Sequence, residues 1–163
     1  MLYNRKFFRE LASNAVTLPQ LFRRNDYHVA RVGKIFHQCV PLVVGTSGSD
    51  DPGSWDEAVD PIARDRADKD MMTINAPQLG IADTMGYLKA EGEDIEQTDG
   101  KVAIESIELL EELKDAPFFL AVGFYRPHIP YVAPKAYFDT YDLEKTCLPQ
   151  LPGTIEHLFR PRH

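Results

Sequence analysis

Cysteine is almost absent, with only Cys39 and Cys147 among 163 residues. The two lie far apart and neither sits in a C-x-x-C pair, which argues against a zinc site or a disulfide framework. A single bridge between them stays open, and so small a count assigns no compartment. Runs of positive charge are also lacking. Lys and Arg number 18 against 25 Asp and Glu, a net charge of -7, and since a phosphate backbone usually needs a basic face, nucleic acid is disfavoured as the main partner. No apolar stretch approaches the roughly 20 residues that cross a bilayer. The first eleven residues carry Arg5, Lys6 and Arg9 without an uninterrupted apolar segment, and so do not read as a signal peptide. There is no low-complexity tract.

Two helix-then-strand units occupy the remainder, one near each end. In the first, Thr17-Leu18-Pro19-Gln20 carries the marks of a helix start. Thr17 caps, Gln20 completes a capping box, and Pro19 is tolerated in the first turn. The helix is expected to run to about Asn25. Residues 27–32 alternate and are rich in β-formers, so they predict a strand ending at Gly33.

The second unit is plainer. Residues 99–114 place Ala103, Ile107 and Leu110 on one side, with Val102, Leu109 and Leu113 widening the stripe and glutamates opposite, the pattern of an amphipathic helix. Residues 117–124 form a continuous apolar run, which predicts a strand buried on both faces of a parallel sheet. Repeated helix–strand units indicate an α/β layered fold. Residues 44–97 are rich in Gly, Asp, Pro and Ser, with one weak helical candidate at 81–90 and an ordered loop around Trp55.

Both predicted strands lead into similar chemistry. The first runs into Gly33-Lys34-Ile35-Phe36-His37 and the second into Arg126-Pro127-His128-Ile129-Pro130. Ligands of open α/β sheets bind at the carboxyl ends of strands. If the two strands are parallel, Lys34, His37, Arg126 and His128 emerge on one rim. Cations and imidazoles converging there, in a chain that is acidic overall, point to an anionic substrate group. On spacing alone each reads equally as a solvated lysine, a structural histidine or a proline-stiffened turn.

The motifs carry a resemblance beyond spacing. Thr17-Leu18-Pro19-Gln20-Leu21-Phe22 followed by Val32-Gly33-Lys34-Ile35-Phe36-His37, and Pro117-Phe118-Phe119-Leu120-Ala121-Val122-Gly123-Phe124 followed by Pro127-His128-Ile129-Pro130, resemble in order the segments of the iduronate-2-sulfatase-like branch of sulfatases. The likeness covers residues 8–152. It implies an alkaline-phosphatase-like three-layer α/β/α sandwich with a mostly parallel sheet. It also implies hydrolysis of sulfate esters on sulfated sugars or polysaccharides. Members use a formylglycine nucleophile, made from Cys or Ser in a C/S-x-P-x-R motif, beside a divalent metal, usually calcium. By matching positions, Lys34 and His128 bind the sulfate oxygens, and His37 acts near the formylglycine hydroxyls to help expel sulfate. Arg126 stands where relatives often carry Lys, with a fork in place of a point charge.

The departures are equally specific. Cys39-Val40-Pro41-Leu42-Val43 and Cys147-Leu148-Pro149-Gln150-Leu151 both begin C-x-P, but Val43 and Leu151 occupy the place of the motif's arginine. Both also lie downstream of the Lys34–His37 segment, whereas the family's nucleophile lies upstream. Asp50 and Asp51 form a tempting carboxylate pair, but the resemblance puts the metal ligands elsewhere and this pair in a loop beside the pocket. The expectation is a partial N-terminal sulfatase domain, without the nucleophile and calcium-ligand segments and inactive by itself. The competing readings are a degenerate sulfatase that binds sulfated glycans without catalysis, and a phosphoester hydrolase of the same superfamily. Family members are commonly exported, periplasmic or lysosomal, and the chain carries no signal that selects among these.

Overall fold

After a single-turn helix, α1 (Phe8–Leu11), the capping signal at Thr17 operates as the sequence predicts. In the computed structural model, which describes residues 7–37, 40–79 and 85–147, Thr17 Oγ1 accepts the Gln20 amide at 3.3 Å. Gln20 Oε1 in turn accepts the Thr17 amide at 3.2 Å. Two orphan donors are thereby satisfied at the start of helix α2 (Leu18–Arg23). The chain turns at Arg24 and enters strand β1 (His28–Gly33). Strand β2 (Glu57–Val59), the short helix α3 (Arg64–Ala67), and strands β3 (Thr73–Ile74) and β4 (Gly86–Ala90) follow. Then come the long helix α4 (Thr98–Leu113), strands β5 (Phe118–Gly123) and β6 (Tyr131–Pro134), and helix α5 (Lys135–Asp139).

The strands form two sheets. The first has the order β2-β1-β5 and is parallel throughout, with β1 and β5 in register from His28↔Phe118 to Gly33↔Gly123. Parallel neighbours need a long crossover, and α4 belongs to the one between β1 and β5. Ala30 and Val32 pack with Val102 and Leu109 of α4 and with Val40, Val44 and Tyr125. On the opposite face Phe119 stacks on Phe22 of α2 at 4.7 Å. Helices thus cover both faces, and the architecture is mixed α/β with a mostly parallel sheet. The second sheet, β3-β4-β6, pairs β4 with β6 in parallel and β3 antiparallel to β4. Met72, Leu88, Ala90 and Val132 make its small core.

The centre of the first sheet holds a charge. Arg31 is 1 % exposed; its Nε donates to Asp50 at 2.7 Å, and Nη1 and Nη2 donate to Asp60 at 2.7 and 3.1 Å. Asp50 also accepts from the Trp55 indole at 2.9 Å. A guanidinium under the sheet is compatible with folding because two carboxylates meet it. These contacts hold the irregular 50–60 segment against β1.

Several expectations are corrected. Residues 117–124 were expected to be buried on both faces, but β5 has only β1 beside it among the described residues. Val122 is 40 % and Phe124 52 % exposed, and β1 is the buried strand. Helix α4 buries Thr98, Val102, Ser106 and Leu109, so the expected centre at Ile107 and Leu110 is rotated toward solvent. Ser106 tolerates burial by donating to the Val102 carbonyl at 2.6 Å. The helical candidate at 81–90 is strand β4 over Gly86–Ala90, and residues 81–84 lie outside the described residues. There Gly86, Leu88 and Ala90 are buried while Lys89 is exposed, a period of two that governs once β6 lies alongside. The supposedly irregular stretch 44–97 contains β2, α3, β3 and β4.

Candidate functional site

Strands β1 and β5 stop together. Their register ends at Gly33↔Gly123, and the Lys34 amide donates to the Gly123 carbonyl at 2.8 Å. A Cβ on Gly123 would lie 1.8 Å from the Lys34 carbonyl oxygen. One on Gly33, whose φ is +73°, would lie 2.3 Å from the Gly123 oxygen. Both glycines are therefore required for the two chain ends to touch. This contact delivers Lys34 and the turn after β5 to the same carboxyl edge of the sheet, as the sequence predicts for parallel strands.

Two aspartates set that turn. Asp99, in the first turn of α4, accepts the amides of Tyr125 at 2.8 Å and Arg126 at 3.0 Å. Asp65 of α3, 4 % exposed, accepts Nη2 of Arg126 at 2.7 Å. It also accepts the Thr98 amide at 3.1 Å and the Thr98 hydroxyl, supplying the acceptor that α4's own N-cap, Gln97, does not provide. Nη1 of Arg126 reaches the Pro130 carbonyl at 3.3 Å. The peptide bonds before Pro127 and Pro130 are cis. The sequence reading missed both aspartates. Asp99 shows a first-turn acidic signal, whereas nothing around Asp65 marks it.

The rim gathers all four expected residues. The His37 and His128 ring centroids are 6.5 Å apart. His128 Nδ1 lies 2.6 Å from the Ile129 carbonyl. A carbonyl only accepts, so Nδ1 carries the proton and Nε2 is the atom left for other partners. Lys34 is partly buried and makes no hydrogen bond or ion pair through its side chain among the described residues. Burial foremost, and then the field of Arg126, push its ammonium below the ordinary lysine value. A desolvated cation next to a guanidinium, with no carboxylate of its own, is an environment that an incoming anion relieves. His37 is exposed; Arg126 and His128 are partly buried. A cleft of about 340 Å³ lies on the α4 side of Arg126, lined by Asp65, Asp99 and Val132 among others. It meets the rim at Arg126, and Lys34, His37 and His128 do not line it.

The fit of a metal is decided by what the carboxylates already hold. Asp50 is engaged by Arg31 and Trp55. Asp51 accepts Nε and Nη2 of Arg9 at 3.0 and 2.6 Å and the Ser54 hydroxyl at 2.5 Å. Among the described residues no group of three or more His, Cys, Asp or Glu is placed to hold a metal ion, so these residues do not fit calcium. Cys147 is a free, exposed thiol, while Cys39 and the remainder of the Cys147 segment, residues 148–151, lie outside the described residues. Among the described residues no helix is long and apolar enough to cross a membrane.

No family model matches the chain. It is 31% identical to the iduronate 2-sulfatase of Homo sapiens over 163 residues, covering 91% of this chain and 28% of that protein. The iduronate 2-sulfatase of Mus musculus matches to the same extent. A sulfatase of Formosa agariphila is 29% identical over 143 residues, covering 86% of this chain and 27% of its own length. The chain therefore spans 28% of the length of the first two of these relatives.

Proposed function

The chain belongs to the sulfatase family, related to the iduronate 2-sulfatases, and on that premise we propose that it supplies the anion-holding rim of a sulfuric ester hydrolase. The layering of α2, the parallel sheet and α4 is then part of an alkaline-phosphatase-like α/β/α sandwich. The substrate class is a sulfated sugar or polysaccharide. The observation that carries this reading is the partly buried ammonium of Lys34, which has no carboxylate partner among the described residues, at the joint carboxyl edge of β1 and β5.

In this reading Lys34 is a point charge for a sulfate oxygen. His128 turns Nε2 to a second oxygen, and that nitrogen donates only when the ring carries both protons. His37, exposed beside His128, serves proton traffic at the departing group. Arg126 adds positive field while its Nη1 and Nη2 hold Pro130 and Asp65. The carboxylates at hand are already engaged by Arg31 and Arg9 and do not suit calcium, and neither cysteine segment keeps the arginine of the formylglycine motif. A sulfated-glycan binder without catalysis is the second reading, favoured by those two cysteine segments.

Titrating the 163-residue chain with 4-nitrophenyl sulfate tests the rim. Saturable binding is expected, weakened about tenfold or more by Lys34→Ala, the loss typical of a charge-assisted contact. Binding indifferent to Lys34→Ala and His128→Ala would overturn the reading. Turnover of the ester separates hydrolase from binder, and none is expected of this chain alone.

A further inference from the structure

Asp65 holds a position that neither the rim nor the fold alone explains. It is 4 % exposed and faces Arg126 directly, Nη2 to Oδ2 at 2.7 Å, while its other oxygen takes the first amide of α4. Asp99 is also near, but its two oxygens are turned to backbone amides of Tyr125 and Arg126. Of the rim's fixed cations, Arg126 therefore has a buried counter-charge and Lys34 has none among the described residues. His37 and His128 add two ionisable imidazoles, their ring centroids 6.5 Å apart.

We propose that Asp65 is a positioning residue that sets the charge preference of the rim: by pairing with Arg126 it leaves Lys34 as the one unpaired fixed cation of the rim among the described residues, which suits a monoanionic ester over a dianionic ester of the same shape. The proposal rests on the reading of the rim as an anion site. A sulfate monoester carries one negative charge. A phosphate monoester carries close to two above its second ionisation near pH 6, although the two are nearly identical in size and oxygen geometry. Shape cannot separate such ligands, whereas one buried carboxylate can, because Coulomb interactions at a partly desolvated site are strong. The same ion pair fixes the guanidinium, since Asp65 is itself tied to Thr98 and the start of α4.

The experiment compares 4-nitrophenyl sulfate with 4-nitrophenyl phosphate, binding to the full chain at pH 8 and low salt, and reads the ratio of the two affinities. Asparagine keeps an acceptor for the Thr98 amide but turns an NH2 group toward Arg126, so the charge and the ion pair are lost together. Asp65→Asn is therefore expected to shift the ratio toward phosphate by about tenfold, and Asp65→Glu to leave it near that of the parent chain. Arg126→Gln is expected to move it the other way, which keeps the proposal exposed should Asp65→Asn fold poorly. Adding Arg126→Gln to Asp65→Asn should restore the parent ratio. A purely structural role weakens both esters equally and leaves the ratio still, and that outcome would overturn the proposal while the rim stands. Loss of Lys34-dependent binding for both esters in the parent chain would instead remove the rim reading, and this proposal with it.

Discussion

The two helix–strand units are built from opposite sequence materials and end in opposite environments. Strand β1 carries a histidine and an arginine, yet Val29, Ala30, Arg31 and Val32 are all within 1 % of full burial. Strand β5 is apolar from Phe118 to Gly123 and is only partly covered, with Val122 40 % exposed. Apolarity did not decide which strand went inside. Sheet order did, because β1 has hydrogen-bonded neighbours on both sides and a helix on each face, whereas β5 has one neighbour among the described residues. The cost of the charge in β1 is met by Asp50 and Asp60, which makes the central strand dependent on loop residues remote in sequence.

That dependence is the sharpest place to break the comparison. Arg31→Leu leaves Asp50 and Asp60 facing a buried apolar side chain. A loss of about 3–5 kcal/mol is expected, the usual consequence of removing one partner from a buried ionic network, measured by urea unfolding. A loss below roughly 1 kcal/mol would show that the aspartates reach solvent without cost. Smaller in scale is a paired test of the second unit. Leu109→Ala, on the buried side of α4 at 5 % exposure, should cost about 2–4 kcal/mol. Val122→Ala on β5 should cost under about 1 kcal/mol. Equal costs would mean that β5 is covered in solution by something beyond its neighbour β1.

How much of this was legible depends on how local the cause was. The α2 start was readable because Thr17 and Gln20 are three residues apart and satisfy each other. The rim was readable because two parallel strands of similar length bring Lys34 and the 126–128 turn to one edge. The depth of β5 and the rotation of α4 were not readable, since both depend on which neighbours lie alongside. Ser106 looks polar in a periodicity count but hides its hydroxyl on the Val102 carbonyl, which lets the buried side swing away from Ile107. Strand β4 was misread for the same reason, because its partner β6 lies far along the chain, with Tyr87 paired to Tyr131. Asp65 was invisible because its partners, Thr98 and Arg126, are distant in sequence and carry no spacing signal.

The smallest effect distinguishes the loop that supports β1 from the strand itself. Hydrogen bonding from Arg9, against the opposing effect of burial, holds the Asp51 carboxyl below its ordinary value. For Asp56 burial pulls upward, but the Val29 amide and Arg23 outweigh it and the net direction is again down. A carboxyl whose folded value is depressed binds fewer protons folded than unfolded, so its contribution is fully present above the ordinary value near 4 and is lost as pH falls through the folded value. The thermal midpoint should therefore be level from about pH 7 to 5 and fall below pH 4. Asp51→Asn should lower the midpoint at neutral pH and flatten the acid limb, because the group that titrates has gone. Both effects are modest, since Arg9 and Arg23 reach solvent and such pairs are screened. An acid limb of unchanged steepness in Asp51→Asn would move the pH dependence off Asp51 and onto Asp56, the other depressed carboxyl of the segment.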